Sequence, residues 1–215
     1  MIGYWIILLI IAFIAYNFGS VSTLNLAGGL VFHRDLHRIG KKRMFISNFR
    51  RLYGYAGFAK LLGVELARDL IPILIGGLLM RIKGHPDIGF AFAGFCLVLG
   101  RIFPVYNRFR GSTASICLIC TMLCVNVSIG LAALVFTAAV AWVSRYLSLA
   151  ALAGALVSIL VTVLVVDDRL LMILCILTAL MVLVRNIPAI RRISKGTEMR
   201  LSLEEDISYK FDEKF

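Results

Sequence analysis

Residues 146–166, YLSLAALAGALVSILVTVLVV, decide the fold class of this chain. The stretch has no charged residue and matches the ~20 residues with which an α-helix crosses the hydrocarbon core of a bilayer. The whole chain of 215 residues is 60% hydrophobic, whereas soluble domains are roughly 45–50% apolar. We therefore predict an all-α integral membrane protein.

Further apolar segments raise the predicted number of transmembrane helices to about seven. Two of them are almost contiguous, so a re-entrant pair there would lower the number of crossings to five. The segments other than 146–166 are 3–31, with a possible kink near Gly19, 57–80, 88–103, 112–126, 128–142 and 170–184.

The basic residues are distributed unevenly between the connections. Most lie in loop 32–56, around 101–110, at Arg145 and from Arg185 onward, whereas the alternate connections carry only Arg81, Lys83 and Arg169. Because cytoplasmic loops are enriched in Lys and Arg, we predict an outside N-terminus and a cytoplasmic C-terminus. The net charge of +11 then faces anionic lipid headgroups, and nucleic acid is not a predicted partner. Residues 1–201 form the predicted membrane domain, and 202–215 a charged cytoplasmic tail.

Three charged residues interrupt the predicted second helix. Glu65, Arg68 and Asp69 have the i, i+3, i+4 spacing that places side chains on one helix face. Each charge costs roughly 2.5–3.5 kcal/mol at the centre of a membrane helix, so such residues usually serve a function. A functional polar site and a purely structural ion-pair network both fit the pattern.

The sequence predicts no metal site and no cofactor. Cys117, Cys120 and Cys124 share one helix face, but they lack a nearby His or carboxylate, and small polarizable side chains at a helix–helix contact explain them better. His33 and His37 are four residues apart, and a loop flank at headgroup level accounts for them.

Five short sequence motifs occur in an order that resembles that of one family of membrane enzymes. They are Gly19-Ser20, the stretch 39–54 (IGKKRMFISNFRRLYG), the set Glu65, Arg68 and Pro72, the stretch 99–114 (LGRIFPVYNRFRGSTA), and Gly196-Thr197-Glu198. Together they resemble the PlsY family, the acyl-phosphate:glycerol-3-phosphate acyltransferases. The resemblance covers nearly the whole chain.

The resemblance implies a role for each matching residue. The implied catalytic residues are Ser47, Asn48, Glu65 and Glu198. The implied substrate-phosphate-binding residues are Arg43, Arg68, Arg101, Arg110, Gly111, Ser112, Thr113, Gly196 and Thr197. The implied substrates are acyl phosphate and glycerol 3-phosphate or a related phosphorylated alcohol, and the implied location is the inner membrane of a bacterium.

The chain departs from the family pattern where phosphate would bind. The family's glycine-rich first motif surrounds an anion with backbone amides, but bulky residues from Lys41 to Phe45 replace its glycines here. Arg101 stands where the family has His, and Thr113 where it has a second Lys. Arg in place of His keeps a cation but removes a general base near neutral pH.

Three functions follow from these departures. In the first, arginine clamps at Arg43, Arg101 and Arg110 have replaced the amide loop, and the chain remains an acyltransferase. In the second, it is a catalytically impaired homologue that binds a lipid or a protein partner. A transporter ranks last, because the sequence shows no inverted repeat with broken helices.

Overall fold

A computed structural model describes residues 2–23, 26, 46–107 and 111–194, without the side chains of residues 2, 46–54, 107 and 194. All regular elements in this part of the chain are helical, which confirms the all-α prediction. A 3₁₀ turn spans Val105–Asn107. The α-helices are α1 Ile2–Ser20, α2 Ile46–Arg81, α3 Pro86–Ile102, α4 Ser115–Val125, α5 Val127–Ser144, α6 Leu147–Val165 and α7 Arg169–Ser194.

Among the described residues, α1, α5, α6 and α7 are long and apolar enough to cross a membrane. In contrast, α4 has 11 residues, and at about 1.5 Å per residue it extends only ~16 Å, roughly half of the hydrocarbon thickness. The number of complete crossings and the orientation of the termini stay predictions.

Several helices end at residues that differ from the ends of the predicted apolar segments. The α6 helix matches its segment to within one residue, whereas α2 begins eleven residues before residue 57, and α7 continues ten residues past 184. At 36 residues, α2 is about 54 Å long and exceeds the bilayer core. In α2 and α7 the hydrogen-bonded helix therefore continues beyond the apolar segment that predicted it. The first helix is shorter than its predicted segment 3–31. It ends at Ser20, next to the predicted kink.

The chain divides into two compact units, Met1–Val21 with Arg68–Arg200 and Ser22–Ala67 with Leu201–Phe215. In the first unit, α1 packs on α3, α3 packs on α7, and α5, α6 and α7 pack in succession, with α4 against α3 and α5. In the second unit, the first part of α2 is described, and it buries Leu61 and Glu65 completely.

Two glycines allow the backbones of α1 and α3 to touch. A Cβ atom on Gly19 would collide with the Leu97 carbonyl, and one on Gly100 would collide with the Tyr16 carbonyl. Close backbone approach of this kind is how membrane helices gain packing energy without a hydrophobic driving force between them. It fixes the carboxyl end of α3, from which Arg101 projects.

Candidate functional site

The candidate site is built around the carboxylate of Asp69, which is completely buried on α2. Its neighbour Arg68 donates to Oδ1 from Nη2 at 2.6 Å and from Nε at 3.1 Å. Arg101 comes from α3 and donates from Nη1 to both carboxylate oxygens, at 3.1 Å each. One carboxylate therefore holds two guanidinium groups that come from different helices.

Further hydrogen bonds fix the rotation of both guanidinium groups. Arg101 Nε donates to Ser112 Oγ at 2.8 Å, and Arg68 Nη1 donates to the Val21 carbonyl, just beyond α1, at 2.8 Å. Both arginines are at least nine-tenths buried. Charges at such depth are tolerated only where they are paired and hydrogen-bonded. The network therefore presents arginines in defined orientations.

The loop that carries Ser112 lies directly on the end of α3. The Ser112 amide donates to the Arg101 carbonyl at 3.3 Å. A Cβ atom on Gly111 would collide with the carbonyl oxygens of Arg101 and Ile102, so only glycine allows this approach. Ala114 then takes a left-handed conformation, with φ of 54°, before α4 begins. The loop of residues 111–114 is thus held close to Arg101.

A family model for glycerol-3-phosphate acyltransferase matches residues 9–196. The chain belongs to this family. A glycerol-3-phosphate acyltransferase of Coxiella burnetii (strain Dugway 5J108-111) is 32% identical over 192 residues, which are 88% of this chain and 96% of the relative. Another, from Thermoanaerobacter sp. (strain X514), is 24% identical over 91% of this chain and 96% of the relative. Membership confirms the predicted resemblance and identifies a membrane acyltransferase of phospholipid synthesis.

Two solved structures share the fold. Both are crystal structures of PlsY (YgiH), an integral membrane glycerol 3-phosphate acyltransferase, one in its glycerol 3-phosphate form and one in its lysophosphatidic acid form. Each superposes with a TM-score of 0.72 at 20% identity, over 95% of this chain and 98% of that chain. The chain is therefore an all-α, multi-pass integral membrane protein, as its composition predicted.

The structure brings part of the predicted site together. Asp69 joins Arg68 and Arg101. Ser112 accepts a hydrogen bond from Arg101, and Gly111 and Thr113 flank Ser112 in the same loop. Glu65 is fully buried one turn earlier in α2. The backbone of Ser47 and Asn48 lies in the first turn of α2. The predicted residues Arg43, Arg110, Gly196, Thr197 and Glu198 lie outside the described residues, as do His33 and His37.

Asp69 is not among the site residues predicted from the sequence, although it belongs to the charged set in the second apolar segment. Its partner Arg101 is 32 residues away in the chain, and local spacing carries no information about a contact at that separation. The available signal was an acidic residue within an apolar helix, next to an arginine.

Within the described ranges, no group of three or more His, Cys, Asp or Glu side chains is placed to hold a metal. Cys117 and Cys120 are buried in α4.

Proposed function

We propose that this membrane acyltransferase transfers an acyl group from acyl phosphate to glycerol 3-phosphate or a related phosphorylated alcohol. The observation that carries the proposal is the convergence of Arg68 and Arg101 on Asp69, next to the loop of residues 111–114. A guanidinium offers five N–H donors in a rigid fork that matches the geometry of phosphate oxygens. Asp69 and Ser112 hold these forks in place before a substrate binds, which lowers the entropy lost on binding.

The proposed reaction needs little side-chain base chemistry. The acceptor hydroxyl oxygen attacks the acyl carbonyl carbon, and a new ester C–O bond forms. The C–O bond to phosphate breaks, inorganic phosphate leaves with the bonding electrons, and the hydroxyl proton passes to a phosphate oxygen. Fixed cations stabilise the negative charge that develops on the oxygens during transfer. Arg101 stays protonated at neutral pH, so it serves as an electrostatic group and not as the base.

The remaining predicted roles belong to the same proposal. Arg43, Arg110, Gly111, Ser112, Thr113, Gly196 and Thr197 complete the phosphate site, and Ser47, Asn48, Glu65 and Glu198 are the proposed catalytic residues. The burial of Glu65 supports a role that requires a dry environment. The chemistry of a phosphorylated acceptor and an acylated lipid product agrees with the two forms in which the structural neighbour was crystallised.

The same comparisons bear on the location of the protein and on the alternative functions. We propose the inner membrane of a bacterium, because the curated relatives are bacterial proteins. The comparisons give no support to a catalytically impaired, lipid- or partner-binding homologue. A transporter has no support from them either.

Acyl transfer by the purified protein in lipid tests the proposal. The assay offers acyl phosphate with labelled glycerol 3-phosphate, next to a panel of other phosphorylated alcohols and unphosphorylated glycerol. We expect labelled lysophosphatidic acid and released inorganic phosphate in equal amounts. Product with only another phosphorylated alcohol would assign a different acceptor. No product with any acceptor, from protein shown to be folded, would contradict the proposed reaction and favour the impaired homologue.

A further inference from the structure

Two adjacent residues near the carboxyl end of α7 bind the backbone of the loop of residues 111–114. Arg185 Nη2 donates to the Gly111 carbonyl at 2.6 Å, and Asn186 Nδ2 donates to the Thr113 carbonyl at 3.1 Å. The second hydrogen of the Asn186 amide reaches the Val182 carbonyl of its own helix at 2.7 Å. Both amide hydrogens therefore have an acceptor, and the side chain is almost completely buried.

These two contacts set the orientation of the loop's peptide groups. In a trans peptide the N–H points opposite to the carbonyl. When Arg185 draws the Gly111 carbonyl toward α7, the N–H of the same peptide, on Ser112, turns away from α7. That N–H donates to the Arg101 carbonyl at 3.3 Å. The loop is thus bound from α7 on one side and from the end of α3 on the other.

Ser112 connects this backbone arrangement to the candidate phosphate site. Its hydroxyl accepts from Arg101 Nε at 2.8 Å, so the position of the loop backbone determines where the guanidinium of Arg101 is held. We propose that Arg185 and Asn186 are positioning residues that set the affinity for the acceptor's phosphate, acting through Ser112 and Arg101. This inference rests on the proposed function and assigns a further role within that site.

Arg185 is the better residue to test, because it is exposed and its truncation leaves helix packing intact. We expect Arg185→Ala to raise the KM for glycerol 3-phosphate about five- to tenfold with little change in kcat, the scale of one partly exposed hydrogen bond from a charged donor. Arg185→Lys retains a charged donor and should lie within about twofold of wild type. Arg169→Ala removes an exposed arginine from the opposite end of α7 and should leave the KM unchanged.

Asn186→Asp provides a second variant of nearly equal volume. It places a carboxylate oxygen against the two carbonyl oxygens that Asn186 now donates to, so the KM should rise by more than tenfold. The thermal unfolding midpoint in detergent, measured for each variant, separates this effect from loss of fold.

A readout without substrate distinguishes failure of the inference from failure of the proposed function. Amide hydrogen exchange of residues 111–116 in lipid should be faster in Arg185→Ala than in wild type and Arg169→Ala. Equal exchange and equal KM would overturn the inference in an active enzyme. Faster exchange with an unchanged KM would show a loop anchor that does not position the phosphate site, which also overturns it. A wild-type protein without acyl transfer would contradict the proposed function. Unchanged exchange in Arg185→Ala would then separately overturn the inference that Arg185 holds the loop in position.

Discussion

At the scale of single residues, Asp69 is the group on which the candidate site depends. Its carboxylate accepts from both the Arg68 and the Arg101 side chains, and it is completely buried. Removing one member of a buried, paired set leaves the other charges uncompensated, at a cost of ~3–5 kcal/mol. A carboxylate that holds two arginines thus contributes to stability and to the geometry of the site together.

We expect Asp69→Asn, which keeps the volume but removes the charge, to lower the thermal unfolding midpoint and to reduce acyl transfer more than 100-fold. The physical reason is that the negative charge and one of the two acceptor oxygens that orient the guanidinium groups are lost, and the new amide N–H groups face these cations. The measurements are a thermal melt in detergent and the initial rate of product formation. Asp167→Asn, at an exposed position before α7, is the matched control and should behave as wild type. An Asp69→Asn protein with the stability and rate of wild type would contradict this role.

The residue scale also shows what the sequence could predict about the site. Glu65, Arg68 and Asp69 were identified because charges are rare in an apolar helix. Arg101 and Ser112 were identified by resemblance to the family. Their connection through Asp69 could not be predicted, because it joins residues far apart in the chain.

At the scale of elements, the site depends on how closely the loop of residues 111–114 lies against the end of α3. Gly111 makes this approach possible, since any side chain there would meet two carbonyl oxygens. The participation of α7 was not predicted. Its predicted apolar segment ends at residue 184, so Arg185 lies outside the predicted transmembrane helix, whereas the helix continues to Ser194.

Gly111→Ala should displace the loop and reduce acyl transfer by about 100-fold or more, because carbonyl oxygens cannot move aside as a flexible side chain can. The variant should remain folded, since the loop lies at the end of the helices it joins. Gly63→Ala is the control: nothing lies within 4 Å of the added methyl group, and alanine favours the helix by roughly 0.5–1 kcal/mol. If Gly111→Ala retained full activity, the close approach of the loop would have no role in the reaction.

At the scale of the whole molecule, the surface of the first unit requires a bilayer. Large apolar side chains are widely exposed on the outer helices, as shown by Val143 at 84% and Leu164 at 82%. Transfer of such a side chain from water to an apolar medium is worth roughly 1.5–3 kcal/mol. This is the feature that composition predicted best, since 60% hydrophobic residues cannot all be buried in a chain of this size.

Orientation in the membrane is a prediction from the distribution of basic residues. Lys83 lies between α2 and α3, and Arg145 lies between α5 and α6, both exposed. In intact cells, a membrane-impermeant maleimide should label Lys83→Cys but not Arg145→Cys, and permeabilised cells should show labelling of both. The expectation is the same for seven crossings and for five. The reverse pattern would show an inverted orientation, and wild-type protein measures labelling of the native cysteines.

In the proposed function, arginine side chains held by Asp69 bind the phosphate of the acceptor. The most direct measurement is equilibrium binding of labelled glycerol 3-phosphate to the protein in lipid, without an acyl donor, with inorganic phosphate as competitor. We compare wild type with Arg101→Lys, which keeps the charge but loses the planar fork, and with Arg81→Lys as control. We expect phosphate to compete, and we expect binding to be at least about tenfold weaker in Arg101→Lys alone, the scale of one lost charge-assisted contact. Equal affinity in all three proteins would contradict this expectation.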